Sequence, residues 1–208
     1  MQDAVNAPAA PKSRPAKGER RIQILQTLAH MLENPAGDKI TTAALARALD
    51  VSEAALYRHF ASKAQMFEGL IEFIESSLFG LLNQISQSDA PALEQLKKML
   101  HVQLAFAHKN PGMVRVLIGD ALTNEHDRLQ TRVTQLIERL TATMKQTLRN
   151  AALESPAWQP AADVGVYSEL LNAWLIGRWH GYVRSGFSRS PLDGFDDAWQ
   201  IFGLRYEG

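Results

Sequence analysis

The chain has 208 residues, 46% of them hydrophobic, and its 22 basic and 22 acidic residues leave no formal net charge. This size and composition suit one small domain plus a larger domain with a substantial core, and they exclude a chain that is disordered throughout. There is no cysteine, and no apolar run is long enough for a membrane helix or a signal peptide. We therefore expect a soluble, cytoplasmic protein without disulfides or thiolate metal sites.

Residues 1–18 are predicted to form a flexible basic arm. Three prolines among the first 15 residues disfavour regular structure, and residues 12–21 carry five basic side chains against the single acidic Glu19. Because the whole chain is neutral, this local positive charge would supply affinity for DNA phosphates that depends on salt and not on base sequence. A solubilising tail without contacts is the alternative interpretation.

The stretch 40–67 has the pattern of a helix-turn-helix. Two N-cap residues, Thr41 and Thr42, precede a short run of apolar residues at helical spacing that stops at Asp50, and Ser52 then restarts the pattern. Tight turns of this kind often hold glycine, and aspartate tolerates the left-handed conformation at some cost. The second helix is too short to be stable alone, so its neighbours must hold it. With a helix at 20–33, residues 19–66 are predicted to form a three-helix DNA-binding domain.

The outward side chains of the second helix are predicted to enter a DNA major groove. The first turn lies nearest the bases, and hydroxyl and amino groups on either side of it meet phosphates. The predicted contacts are Thr41, Thr42, Ser52, Glu53, Ala54, Tyr57, Arg58, His59 and Lys63. The alternative is a packed helical pair without a nucleic-acid role, which rarely combines a two-residue break with an exposed Tyr-Arg-His sequence.

The run LYRHFASKAQMF resembles the TetR family of bacterial DNA-binding proteins. Threonine-rich helix starts, an aromatic and basic ending of the recognition helix before phenylalanine, and a following Ser-Lys step are usual in that family. The resemblance implies an all-α fold, in which an N-terminal three-helix head is followed by a helical dimerisation and regulatory domain, here residues 67–208.

Periodicity predicts that the rest of the chain is helical, at 62–87, 90–109, briefly after Asn110, and at 123–152, 161–185 and 193–206. The last two helices carry apolar residues on more than one side, which predicts a homodimer interface. The residues concerned are Val164, Tyr167, Leu170, Leu171, Trp174, Trp179, Tyr182, Val183, Phe195, Trp199, Ile201, Phe202 and Leu204. A small-molecule pocket around Trp158, Tyr167 and Trp174 is the alternative.

Helical winding of residues 66–85 places Leu81 within the main apolar stripe and Phe73 outside it. In the next helix, Val102, Ala105 and Lys109 share the face opposite the main stripe with Lys98. An exposed phenylalanine beside a small, basic face suits a short peptide that has apolar anchors and negative charge. Burial of both faces by other helices is the alternative.

Three further runs, NPGMVRVLIGDAL, EHDRLQTRVTQLIERL and YVRSGFSRSPLDGFDDAW, extend the resemblance to about residues 19–200. They resemble the nucleoid occlusion factors, a divergent branch of the TetR family. The resemblance implies a dimer that is loaded on palindromic chromosomal sites, binds the C-terminal tail of the division protein FtsZ between its fourth and fifth helices, and antagonises FtsZ polymers.

Within the motifs of that branch, Phe73 falls on the phenylalanine of the fourth helix, and Lys109 and Asn110 fall where a basic residue and asparagine precede Pro-Gly. Together with Val102 and Ala105 they are the predicted partner-binding residues. The sequence departs from the branch at Leu81, where an arginine can stand, which weakens the basic rim. The resemblance also implies a nucleoid-associated location.

No enzyme, cofactor or metal site is predicted. The sequence lacks a G-x-S-x-G motif, a phosphate-binding glycine loop and a cysteine nucleophile. His101 and His108 share a helical face, but an i, i+7 pair is about 10 Å apart along the axis, which is too far for one metal ion.

Overall fold

A computed structural model describes residues 17–34, 40–123, 125–154 and 163–204. These residues form helices joined by short turns, and no strand occurs among them. The elements are α1 Lys17–Met31, α2 Thr42–Ala48, α3 Glu53–Tyr57, α4 Lys63–Ser86, α5 Ala92–Lys109, α6 Pro111–Leu117, the 3-10 helix η1 Asp120–Leu122, α7 Asp127–Glu154, α8 Val164–Arg184 and α9 Phe195–Ile201. Most of the predicted basic arm lies outside the described residues, and Lys17 and Gly18 at its end already belong to α1.

The first three helices form the predicted head, and its local signals are confirmed. Thr41 caps α2 by accepting a hydrogen bond from the Ala44 amide at 3.1 Å, and Ser52 caps α3 in the same way from Ala55 at 3.3 Å. Between the two helices, Asp50 adopts the left-handed conformation with φ of 52°. The turn therefore has the tight geometry that usually favours glycine.

The second domain is built around α5, which packs against α4, α7 and α8. Its predicted inner stripe is confirmed, because Leu93, Leu96, Leu100, Leu104 and Ala107 are all buried. The stripe of α4 is buried from Phe67 to Leu82 except at Leu81, where the prediction is wrong and the side chain is 37% exposed. None of the described helices combines the length and the apolar character required to cross a bilayer.

Two predicted helix boundaries in this domain differ from the structure. The long helix α7 begins at Asp127 and not at 123, because Thr123, which follows the short helix η1, is extended with φ of −61° and ψ of 125°. The last helix ends at Ile201 and not at 206, because Gly203 turns the chain with φ of 65°. At the second boundary a glycine with positive φ ends the helical path, as is common at helix C-termini.

The head is joined to the second domain through α6. Arg115 of α6 donates to the carbonyl oxygens of Leu32 at 3.2 Å and Asn34 at 3.1 Å, just after α1, and pairs with Asp120 at 2.5 Å. The backbone of α6 approaches α1 so closely that a Cβ atom on Gly112 would lie 1.9 Å from the carbonyl oxygen of Ala29. The residue at 112 therefore has to be glycine for the two helices to meet.

We expect Gly112→Ala to lower the free energy of unfolding by about 1–3 kcal/mol or more, because α1 and α6 must separate to admit the methyl group. The matched control is Gly80→Ala in α4, where a Cβ would meet no atom within 4 Å. That change should stabilise the protein by roughly 0.5–1 kcal/mol, since alanine is the better helix former. Chemical denaturation followed by circular dichroism measures both. Equal stability of Gly112→Ala and the parent would contradict the close approach.

Candidate nucleic-acid interface and partner groove

The recognition face of the head consists of the outward side chains at the start and end of α3. Leu56 and Phe60 point into the head and are each 1% exposed, whereas Tyr57 is 45% exposed and Arg58 is also exposed. Ser52, Glu53 and Ala54 at the start of α3 are exposed too, and His59 is half-buried. The structure thus turns outward the residues that the sequence predicts to meet DNA.

The two threonines at the start of α2 have different roles. The hydroxyl of Thr41 caps the helix, while the hydroxyl of Thr42 donates a 2.6 Å hydrogen bond to the Glu53 carboxylate. Tyr57 donates in turn to the Thr42 hydroxyl over 3.5 Å, at the outer limit of a hydrogen bond. The sequence predicts each of these four residues separately, and the structure adds that Thr42, Glu53 and Tyr57 form one chain of hydrogen bonds.

Lys63 is partly enclosed, which the sequence pattern does not indicate. Its amino group pairs with the carboxylate of Glu125 in the loop before α7, and the two side chains are 22% and 13% exposed. The same amino group lies 5.7 Å from the centroid of the Phe67 ring. A phosphate contact by Lys63 therefore requires that the pair with Glu125 be loosened or shared.

Two arginines of α1 border the recognition face, although the sequence shows them only as part of the basic stretch. Arg21 donates to the carbonyl oxygen of His59 at 3.1 Å, and its guanidinium lies 4.2 Å from the centroid of the Phe60 ring. Arg20 lines a cleft of about 490 Å³ together with Arg58 and His59. Only the packing of α1 against the end of α3 brings these residues together.

The name partner groove is used here for the candidate binding surface predicted from the sequence, which comprises Phe73 and Leu81 of α4 and Val102, Ala105 and Lys109 of α5. Phe73 and Leu81 are each 37% exposed, Val102 and Ala105 are half-buried, and Lys109 is exposed. Burial of both faces, the alternative drawn from the sequence, does not describe this arrangement. Leu81 adds an apolar side chain on the open side that the stripe prediction had placed inside.

The two ends of the partner groove are held by contacts from neighbouring elements. At one end, the Asn110 side-chain amide donates to the carbonyl oxygen of Phe106 at 2.8 Å. The Tyr182 hydroxyl donates to the carbonyl oxygen of His108 at 3.2 Å. Burial and then the charge of Glu33 raise the pKa of Tyr182, so the hydroxyl stays a neutral donor.

At the other end, a cavity of about 530 Å³ continues past Val102 between Ile85, Lys98, His101 and Phe195. Its rim includes an ion pair between Lys97 and Asp196 at 2.7 Å, and the hydrogen bond from Lys97 lowers the pKa of Asp196.

The aromatic residues of α8 and α9 pack mainly within the chain. Five of the residues predicted to form a dimer surface are buried in the subunit, so the prediction is wrong for them: Leu171, Trp179, Tyr182, Phe195 and Leu204. The Trp174 ring lies 6.2 Å from that of Phe195 and 5.4 Å from that of Phe202. The apolar residues that α8 and α9 leave exposed are aliphatic: Val166, Leu170 and Ile201. Trp158, part of the alternative ligand pocket, lies outside the described residues.

No group of three or more metal-ligating side chains is assembled in the part of the chain that the structure describes. The His101 ring stacks edge-on against Phe195 at 5.3 Å, and the His108 ring lies 6.0 Å from Tyr182. Both histidines therefore have aromatic neighbours on α8 and α9.

Comparisons with known proteins match both the head and the second domain. A family model for bacterial regulatory proteins of the tetR family matches residues 36–70, and one described as tetracyclin repressor-like, C-terminal domain, matches residues 91–206. The nucleoid occlusion factor SlmA of Alteromonas mediterranea is 48% identical over 186 residues, which cover 89% of this chain and 95% of the relative. The chain belongs to the SlmA family, a branch of the TetR family.

Other members of the SlmA family match over similar lengths. The nucleoid occlusion factor SlmA of Colwellia psychrerythraea is 46% identical over 192 residues, or 92% of this chain and 96% of the relative. The resemblances drawn from the head and from the second domain are thereby confirmed. They cover the groove-forming helices as well as the helix-turn-helix.

Solved structures resemble this SlmA-family chain in fold, with little sequence identity. The regulator FadR of Bacillus subtilis in complex with stearoyl-CoA superposes with a TM-score of 0.72 at 12% identity, covering 87% of this chain and 96% of that one. The ketosteroid regulator KstR2 of Mycobacterium tuberculosis gives 0.68 at 22%, covering 90% and 96%. The predicted all-α, TetR-like fold is confirmed, and at these identities the likeness shows the fold alone.

We expect Glu125→Gln to strengthen DNA binding, because Lys63 loses the carboxylate that holds its charge. One additional phosphate contact should steepen the slope of log K against log salt concentration by about 0.9. The control is Glu68→Gln, which removes a different ion pair between α4 and α7, that of Glu68 with Arg128 at 2.7 Å. Fluorescence anisotropy at several salt concentrations measures both variants. Identical affinities and slopes for Glu125→Gln and the parent would contradict the expectation that Glu125 restrains the charge of Lys63.

Proposed function

We propose that this protein is a nucleoid occlusion factor. Two copies bind a palindromic chromosomal site through their heads, and the DNA-bound homodimer binds the C-terminal tail of FtsZ and antagonises FtsZ polymers, so that septa do not form over the nucleoid. The observation that carries the proposal is the 48% identity to an SlmA protein over about nine-tenths of both chains, second domain included. The protein works as a regulator in the cytoplasm, on the nucleoid, and catalyses no reaction.

The DNA-binding half of the proposal rests on the recognition face. Arg58 and Tyr57 are exposed beside each other at the end of α3, and α3 is short enough to lie across a major groove with its first turn against the bases. Thr41, His59 and Lys63 border this face and reach toward the phosphates, while Ser52, Glu53 and Ala54 approach the bases. Thr42 contributes by holding the Glu53 carboxylate. The predicted basic arm adds phosphate contacts from outside the described residues.

The proposal of a homodimer is supported by apolar residues of α8 that are exposed to solvent. Val166 is 57% and Leu170 is 51% exposed, and on the same face the exposed residues Ala173, Gly177 and Gly181 are small. Another helix can pack closely along such a face, because the space beside both glycines is open. A Cβ atom on either glycine would meet no atom within 4 Å. A second copy that packs its own α8 here would cover these residues symmetrically and set two heads on one duplex.

The partner-binding half rests on the groove between α4 and α5. Phe73 and Leu81 offer apolar surface, Val102 and Ala105 form a shallow floor, and Lys109 is a cation at one end. Asn110 keeps an amide oxygen for a partner, since its nitrogen already donates to Phe106. This combination suits a short peptide with apolar anchors and acidic residues, such as the tail that we assign to it.

A ligand-responsive repressor is the second candidate function for a TetR fold. The cavity that this function needs would surround Trp174, and that ring already packs against two phenylalanines of α9. The core between α5, α7 and α8 is filled by Leu100, Met144, Leu175 and other fully buried side chains. The observations therefore favour the exposed groove over an internal ligand site.

We expect Phe73→Ala to weaken binding of an FtsZ tail peptide by at least about tenfold, because the largest exposed apolar anchor is lost. Operator affinity should stay unchanged, since Phe73 lies outside the head. Leu153→Ala is the matched control, because Leu153 is 81% exposed on α7 and away from the groove. Peptide anisotropy and sedimentation of FtsZ polymers, with and without the DNA site, measure the effect. Normal peptide binding by Phe73→Ala would contradict the assignment of the groove.

We expect Arg58→Ala to lower specific operator affinity on the order of tenfold at physiological salt, because a cation at the centre of the recognition face is removed. Arg149→Ala, which removes an exposed cation from α7, should leave operator affinity unchanged. Equal operator binding by the Arg58 variant and the parent would refute its role. Release of the parent from its operator by a metabolite, without any effect on FtsZ polymers, would support the repressor function instead.

A further inference from the structure

Glu53 is the one acidic side chain among the exposed residues from Ser52 to Arg58. Its position is unusual for a DNA-binding surface, because a carboxylate is repelled by phosphates and loses hydration when it enters a groove. Among the described residues, no lysine or arginine forms a salt bridge with it. Its carboxylate is therefore exposed and not held in a salt bridge, which leaves it open to a donor from outside the head.

The structure fixes the direction of this carboxylate. Its Oε2 atom accepts a 2.6 Å hydrogen bond from Thr42, and the Thr42 hydroxyl faces the Tyr57 hydroxyl at 3.5 Å. Because the Thr42 hydroxyl has one proton and gives it to Glu53, the Tyr57 hydroxyl must be the donor in the second contact. Tyr57 and Thr42 thus orient Glu53 from the far end of α3 and from α2, and the Oε1 atom is left to accept another hydrogen bond.

An ionised carboxylate can only accept hydrogen bonds. In the major groove the donors are the N4 amino group of cytosine and the N6 amino group of adenine. Adenine places the N7 acceptor beside its amino group, so a carboxylate that approaches N6 also meets a lone pair, whereas cytosine has a C–H group at the corresponding place. The chemistry of Glu53 therefore selects cytosine over adenine and excludes phosphate.

We propose that Glu53 is a specificity-determining residue that accepts a hydrogen bond from the N4 amino group of a cytosine in each operator half-site, and that Thr42 and Tyr57 are its positioning residues. The inference rests on the proposed DNA-binding function and goes beyond it by naming a base. In a two-fold symmetric complex the cytosine occurs once in each half-site, on opposite strands. The same carboxylate lowers affinity for other sequences, because it faces an acceptor or a methyl group at that position, or in adenine an amino group with the N7 lone pair beside it.

The test is selection of binding sites from random duplexes by the full-length protein and its variants. We expect the parent to select a palindrome with one cytosine that depends on Glu53. Glu53→Gln should change the preference at that position from cytosine to adenine, because a carboxamide pairs with N6 and N7 of adenine. Glu53→Ala should lose the preference there, with about tenfold weaker binding to the parent's site and tighter binding to unrelated DNA.

Two further variants separate base recognition from folding. Thr42→Val keeps the carboxylate but removes the hydroxyl that orients it, and it should reduce the cytosine preference without abolishing it. Glu138→Gln makes the same change of charge on α7, where the side chain is exposed, and should select the parent's site unchanged. Circular dichroism and thermal unfolding of each variant confirm that the head is folded.

The outcomes are distinguishable. If Glu53→Ala selects the parent's motif with the same preference at every position, or if the position that changes is not a cytosine, the inference is overturned. If the parent itself selects no motif, the proposed DNA-binding function fails, and not merely the assignment of one base.

Discussion

The burial of Leu56 and Phe60 is the interaction on which the DNA-binding head depends. The helix that carries Leu56 has five residues, which is far too few for a helix to persist in water. It exists because these two side chains, each 1% exposed, are enclosed by the neighbouring helices. On α4 the enclosure requires Gly69, where a Cβ atom would stand 2.9 Å from the Phe60 ring, and Arg21 covers the ring from α1. The outward residues of α3 acquire a fixed direction only through this packing.

Helix α4 connects the head to the second domain. Its first turns complete the head with Met66 and Phe67, and its later turns carry Ile74 and Leu78 into the core of the second domain. The helix is continuous across the predicted domain boundary after residue 66, so the helix that packs against the head also carries Phe73 of the partner groove. Ion pairs from α7 to Glu68 and Glu75 fasten the same helix along its side.

The partner groove exists because α5 is surrounded incompletely. Helices α4, α7 and α8 bury more than half of its circumference, including the polar residue Gln103. The remaining strip of α5 carries Val102 and Ala105, which are half-buried, and Lys109, which is exposed. The accessible surface of α5 therefore follows from which neighbouring helices cover it rather than from any one residue.

Local signals in the sequence are sufficient for the architecture. Capping residues at Thr41 and Ser52, the left-handed turn at Asp50 and the apolar periodicity of α4 and α5 each act within a few residues, so the order of amino acids alone reveals them. The helix-turn-helix and the all-α fold are predictable on this basis. The outward direction of Tyr57 and Arg58 also follows, since a helix that buries Leu56 and Phe60 has to expose the residues between them.

Tertiary packing decided which faces meet, because periodicity identifies an apolar face without identifying the neighbour that covers it. It buried Trp179 and Tyr182 inside the subunit, where the sequence suggested a dimer surface, and it left Leu81 exposed at the edge of its stripe. It also joined residues far apart in the chain, such as Lys63 and Glu125, which are separated by 62 positions. The sequence alone determined the helices and the outward side of α3. The packing of helices that are far apart in the sequence determined which side chains lie together in the candidate sites.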